Sequence, residues 1–236
     1  MKHYWFGDSW IVGDELEHSV PRSERHLYAF PRLVSDHFGV ESVNCGVSGS
    51  SVDSLPFYFN QHVCSMSPGD TVFFGLSSYH RTGILDNNQW YQISPGSNHS
   101  EYIHPCTDTW FKYFDTEQHR LYNYDKTIGL LYLLTKEYDL NCYFFNLFST
   151  VPGTIIDIVP SKNWLLNRNR CLADYIMHIN GNSAGYVISD DMPHLDYSDW
   201  LKHEEFLNEY VRPGVAHPNI RGHRRIAEKL IGLIDA

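Results

Sequence analysis

The sequence predicts an α/β fold, a three-layer α/β/α sandwich in which helices cover both faces of a central, mostly parallel sheet of five strands. Three observations predict it. Short apolar runs that stop at Gly, Ser or Asp alternate with longer stretches of helical spacing. The run "TVFFGL" at 71–76 is almost wholly apolar and follows the turn "PGD", as a buried strand would. The order strand, helix, strand, helix, strand imposes right-handed crossovers, and these make neighbouring strands parallel.

Taken in order, residues 2–6 read as the first strand, and "SERHLYAFPRLVSDHFG" at 23–39 as a helix capped by Ser23, disturbed at Pro31 and stopped at Gly39. "VESVNCGV" at 40–47 is the second strand, and residues 50–65 carry apolar side chains at helical spacing. After the third strand at 71–76, the segment from Asp86 to about Asp115 mixes Asn, Gln, Ser, Pro and Gly with Trp90, Tyr91, Tyr102, Trp110, Phe111 and Tyr113, and reads as an aromatic-rich insertion. Helical periodicity returns at about 116–139 and leads into "NCYFFNLF", the fourth strand. "NWLLNRNRCLADYIMHI" at 163–179 reads as a helix, "GYVIS" at 185–189 as the fifth strand, and residues 218–234 as the closing helix. No repeat or linker interrupts the pattern, so a single domain spanning 1–236 is expected.

Composition removes several classes of function. With 18 Lys and Arg against 28 Asp and Glu the formal charge is −10, which opposes a nucleic-acid backbone or an anionic membrane as partner. The longest apolar runs fall far short of the roughly 20 residues of a bilayer span. The N-terminus shows no apolar signal core or cleavage pattern, so a cytoplasmic location is expected, with a viral particle as an open alternative. The 5 cysteines form no C-x-x-C pair, and the 14 histidines show no third ligand at metal spacing, so neither a metal nor another cofactor is expected. The oligomeric state is left open.

In a parallel sheet the ligand site lies at the carboxyl ends of the strands. The first strand ends in Gly7-Asp8-Ser9, where a serine hydroxyl can rise above the sheet edge and its N–H can face an oxyanion; a plain turn or helix cap also favours Asp and Ser. The second ends in "NCGVSGSSV", where Gly49 can bring its N–H close to a ligand or simply bend a capping loop. Near the C-terminus, His217 in "HPNIRGH" precedes the closing helix, where a base can reach the sheet edge. The loop "GVSGSS" carries neither a P-loop lysine nor a dinucleotide glycine pattern.

Together these stretches resemble the SGNH or GDSL-type hydrolase family, whose blocks are Gly-Asp-Ser near the N-terminus, a glycine after the second strand, Gly-x-Asn-Asp after the third, and Asp-x-x-His near the C-terminus. The resemblance implies a flavodoxin-like sheet, Ser9 as nucleophile, His217 as general base, and an oxyanion hole of the Ser9 and Gly49 N–H groups. Two blocks depart from the pattern. Where the third has its asparagine this chain has Ser77, in Gly75-Leu76-Ser77-Ser78, so the Ser77 hydroxyl is expected as the remaining donor, with Tyr79, His80 and Arg81 as neighbours able to replace it. Three residues before His217 stands Gly214 instead of an aspartate, so the acid is expected from Asp190 or Asp191, or its role is taken by a backbone carbonyl.

The function these residues imply is a serine esterase acting on carboxylic esters, with a small acyl group such as acetyl on a carbohydrate as the expected substrate. The aromatic insertion supplies rings that can stack on sugar or bury the insertion's own backbone. A domain of the same fold that has lost turnover and binds carbohydrate or a protein partner is the alternative, favoured by the two missing side chains.

Overall fold

The computed structural model describes residues 1–14, 16, 20–86, 89–93, 115–147, 158–166, 168, 170–177, 211–212 and 217–235. Strand β1 is Lys2–Phe6, β2 Glu41–Asn44, β3 Thr71–Leu76, β4 Thr82–Asp86, β5 Gln89–Ile93 and β6 Asn141–Asn146. Four of them form one parallel sheet in the order β2-β1-β3-β6, with Trp5 in register with Asn44 on one side and Phe73 on the other. Chain order reverses beside β1, and this is where an open α/β sheet presents its ligand crevice.

The alternation of side chains along each strand sends them to two cores. On one face Trp5, Phe73 and Phe145 pack with Phe30, Val34, Ile226 and Leu230, and the Trp5 and Phe73 rings stack with centroids 3.9 Å apart. On the other, Tyr4, Phe6, Phe74 and Phe144 pack with Leu55, Phe59, Ile128 and Leu131. A strand covered on both faces has no polar side to show, which is why every residue of "TVFFGL" is buried. Helices α2 (Phe30–His37) and α6 (Ile220–Ile234) cover the first face, and α3 (Leu55–His62) and α4 (Glu117–Glu137) the second, giving the three layers. The short α1 (Ser9–Val12) follows β1, and α5 (Leu172–Met177) packs on α6.

Three expected elements differ in detail. The helix over 23–39 is two pieces, a 3-10 turn at Arg22–Leu27 and then α2, because Pro31 has no N–H to give and so sits in a first turn; Gly39, with φ +65°, does end it. Over 163–179 the helix begins only at Leu172. Before it, Trp164 and Cys171 make parallel bridges to Phe144 and Asn146 along the edge of β6. Side-chain amides tie the segment to β6 from both sides: Asn146 Nδ2 donates to the Arg168 and Arg170 carbonyls at 2.8 and 3.1 Å, and Asn163 Nδ2 to the Cys142 carbonyl of β6 at 2.9 Å. Third, ordered pairing starts before the aromatic insertion, as β4 and β5 form an antiparallel hairpin from Thr82 to Ile93. Asp53 fastens it, its Oδ2 accepting from Thr82 Oγ1 at 2.7 Å and Gly83 N at 3.0 Å. The rest of the insertion, 94–114, and the fifth strand expected at 185–189 lie outside the described residues. Among those described, no helix is long and apolar enough to cross a membrane.

Candidate active site

The first strand ends at a position that only glycine fits. Gly7 has φ +153°, and a Cβ there would lie 2.5 Å from Ile11 Cγ1 and 2.7 Å from the Gly75 carbonyl oxygen. Asp8 then caps α1, its Oδ1 accepting the Trp10 N–H at 3.0 Å while its carbonyl accepts from Ile11 and Val12. Ser9 is thus the first helical residue, whose N–H has no acceptor within the helix.

The loop after β2 is stitched to this turn. Val47 N–H and Ser50 Oγ both donate to the Gly7 carbonyl at 2.9 Å, and Asn44 Nδ2 donates to the Ile11 carbonyl. Gly49, at φ +74°, lies in a tight turn closed by the Ser50 N–H on the Val47 carbonyl at 3.0 Å. From β3, Ser77 is buried and its hydroxyl donates to the Ser50 carbonyl at 3.0 Å, so its proton is spent on the turn that carries Gly49.

His217 arrives last. It opens the two-residue strand β8 (His217–Pro218), pairs with β7 (Val211–Arg212), and is followed by Asn219, whose Oδ1 caps α6 by accepting from Gly222 N at 2.9 Å. Its Nε2 lies 2.8 Å from Ser9 Oγ. With the imidazole neutral and unprotonated at Nε2, the serine hydroxyl donates to it, the geometry of a nucleophile and its base. Asp190, Asp191 and Gly214, where an acid partner was expected or missing, lie outside the described residues.

Two features of the site were not legible in the sequence. Asp8 is 0% exposed, and its Oδ2 receives Arg81 Nη1 at 2.9 Å. Burial pushes the Asp8 carboxyl up, and Arg81, the Trp10 N–H and His217 act against that push. His223, one turn into α6, is fully buried; its Nδ1 accepts the Phe30 N–H at 3.2 Å, which leaves the proton on Nε2, and burial followed by the nearby His217 charge pushes its pKa down to about 3. The signals were too thin: an Asp before a serine reads as a cap, and a histidine at helical spacing reads as surface. Among the described residues, no group of three or more His, Cys, Asp or Glu is placed to hold a metal ion. A cavity beside the site is lined by Val52, Asp53, Tyr79, Arg81, Arg120 and Tyr124, so Arg81 belongs to both.

No family model matches the chain, and no curated protein matches it either. Solved structures do. A protein assigned to the lipolytic G-D-S-L family from Desulfitobacterium hafniense DCB-2 superposes with a TM-score of 0.52 at 14% identity, over 98% of this chain and 98% of that one. The chain has the SGNH/GDSL-type hydrolase fold. A member of the lipolytic G-D-S-L family from Veillonella parvula DSM 2008 gives 0.45 at 16% identity, over 100% of this chain and 98% of the other. An active-site mutant of a family two carbohydrate esterase from Clostridium thermocellum gives 0.45 at 14%, over 99% of this chain and 63% of the other. Ser9 stands at the exit of the first strand and Gly49 in the loop after the second.

Proposed function

We propose that this chain is a serine esterase that hydrolyses carboxylic esters by acyl transfer. The observation that carries the reading is the 2.8 Å contact between Ser9 Oγ and His217 Nε2 at the crevice of a parallel sheet. Ser9 Oγ attacks the acyl carbon as its proton passes to His217 Nε2. The carbonyl oxygen, now an oxyanion, is met by the Ser9 and Gly49 N–H groups. Collapse expels the alcohol, which leaves with the proton from His217, and an acyl-Ser9 remains. Water then gives its proton to His217, attacks the acyl carbon, and releases the acid with Ser9 restored.

Ser77 serves the oxyanion hole by holding the Ser50 carbonyl and with it the turn of Gly49, in place of the side-chain amide that the family pattern has there. The carboxylate that orients the far nitrogen of His217 is assigned to Asp190 or Asp191. A small acyl group, such as acetyl on a carbohydrate, is the proposed substrate; the aromatic-rich segment after the third strand supports a sugar-stacking rim. The test is hydrolysis of a short-chain aryl acetate together with labelling by a fluorophosphonate, with Ser9→Ala and His217→Ala alongside. Turnover that needs both Ser9 and His217, with labelling lost in Ser9→Ala, supports the esterase. A wild-type chain that neither turns over nor labels is a binding domain on this fold.

A further inference from the structure

The steps above leave unused the best-buried charge at the site. Asp8 immediately precedes the nucleophile, and its two carboxylate oxygens face different elements: Oδ1 caps α1 through the Trp10 N–H at 3.0 Å, and Oδ2 holds the Arg81 guanidinium at 2.9 Å. Arg81 comes from the turn that follows β3, closed by its own N–H on the Ser78 carbonyl at 3.0 Å. One carboxylate therefore ties the turn that presents Ser9 to the turn that begins at Ser78, just after β3. The carboxylate has no access to water, so it depends on protein partners for its solvation, and Arg81 supplies the compensating charge. Without that cation the buried carboxylate would stay uncompensated or take up a proton, and either change alters the hydrogen bonds at the start of α1.

Resting on the esterase reading, we propose that Arg81 is a positioning residue: acting through the Asp8 carboxylate, it holds the first turn of α1 so that Ser9 Oγ stays in register with His217. Arg81 is thus a member of the site by way of Asp8, and the charge that it answers is that of the protein. The proposal distinguishes it from a group that meets the oxyanion, which would act whether or not Asp8 were charged.

A charge-rescue series tests this. Aryl acetate hydrolysis and fluorophosphonate labelling are measured for wild type, Ser9→Ala, Arg81→Lys, Arg81→Met, Asp8→Asn and the Asp8→Asn/Arg81→Met double variant, with thermal unfolding of each. Arg81→Met is expected to lose on the order of 10²-fold in kcat with little change in KM, the scale of a misplaced reacting group. Arg81→Lys recovers part of the loss. Asp8→Asn is expected to lose activity, but less than Arg81→Met, since asparagine still caps the helix while the charge that draws Arg81 onto the turn is gone. The double variant returns to the level of Asp8→Asn, because no buried charge remains to be answered. A double variant no faster than Arg81→Met, or far slower than Asp8→Asn, overturns the proposal and makes Arg81 a group that acts on substrate. If Arg81→Met does not fold, the comparison of the double variant with Asp8→Asn decides alone. An Arg81→Met chain as active as wild type also overturns the proposal while leaving the esterase standing, whereas a wild type without any Ser9-dependent reaction removes the esterase reading and this one with it.

Discussion

Ser9 and His217 stand 208 residues apart in the chain, and their side chains meet at 2.8 Å. Ser9 is set by a glycine that no other residue could replace and by the Asp8 cap, and His217 by a two-residue strand and the Asn219 cap that starts α6. The pair exists because β1 and α6 are packed into the same core, through Trp5 on one side and Ile226 and Leu230 on the other.

Removing either partner should stop the chemistry and leave the fold. Ser9→Ala and His217→Ala are each expected to lower kcat by on the order of 10⁴-fold or more. Thermal midpoints should stay near wild type, since both side chains lie at the crevice and outside the two cores; a large drop in midpoint would mean that the residues serve the fold.

Gly7→Ala should destabilise. The added methyl meets Ile11 at 2.5 Å and the Gly75 carbonyl at 2.7 Å, with φ at +153°, and the neighbours are backbone and a buried side chain that cannot step aside. Overpacking of this kind costs about 1–3 kcal/mol, and the backbone strain adds to it. Urea unfolding gives the number, and a variant as stable as wild type would show that β1 ends differently.

Ser77→Ala should cost both stability and rate. It strips the Ser50 carbonyl of its buried donor, about 1–3 kcal/mol for an acceptor left without a partner, and loosens the turn that carries Gly49. The expected signature is a fall in kcat with KM little changed. A rise in KM alone would place Ser77 in ground-state binding.

Acid should weaken the fold through its buried imidazoles. His223 is pushed down to about 3 and His3 to about 4, in both cases mainly by burial, while the unfolded chain takes up these protons near pH 6.5. The folded state therefore binds fewer protons between those values, and the stability from each neutral imidazole is complete above about pH 6.5 and lost as the pH falls towards the folded value. Each histidine contributes up to about 1.4 kcal/mol per pH unit within its window. Urea midpoints of wild type and His223→Asn from pH 7 to pH 4 check this: the variant starts less stable and should lose less on acidification. Parallel slopes would mean that His223 is protonated in the folded chain.

Much of the fold was legible because burial on two faces leaves a strong mark. "TVFFGL" became β3 at its expected limits, and "NCYFFN" became β6, since a strand between two layers must be apolar along its length. Helix limits were harder. Pro31 looks like a fault in the middle of a long helix, but the chain breaks at Ala29 and places the proline in a first turn. The stretch before Leu172 has helical spacing and yet runs along β6, because Asn146 of β6 binds its backbone and its own Asn163 binds the backbone of β6, and a side-chain amide leaves no periodic trace in a sequence.

By itself the sequence determined the alternation of strands and helices, the glycine and serine at the exit of β1, and the histidine before the last helix, all of them local signals of spacing and turn chemistry. The tertiary structure decided what those residues touch: His217 on Ser9, Arg81 on Asp8, and Ser77 on Ser50. Such contacts join positions distant in the chain, and their partners are set by how the layers pack once water has been driven from between them, a condition that no short stretch of sequence contains.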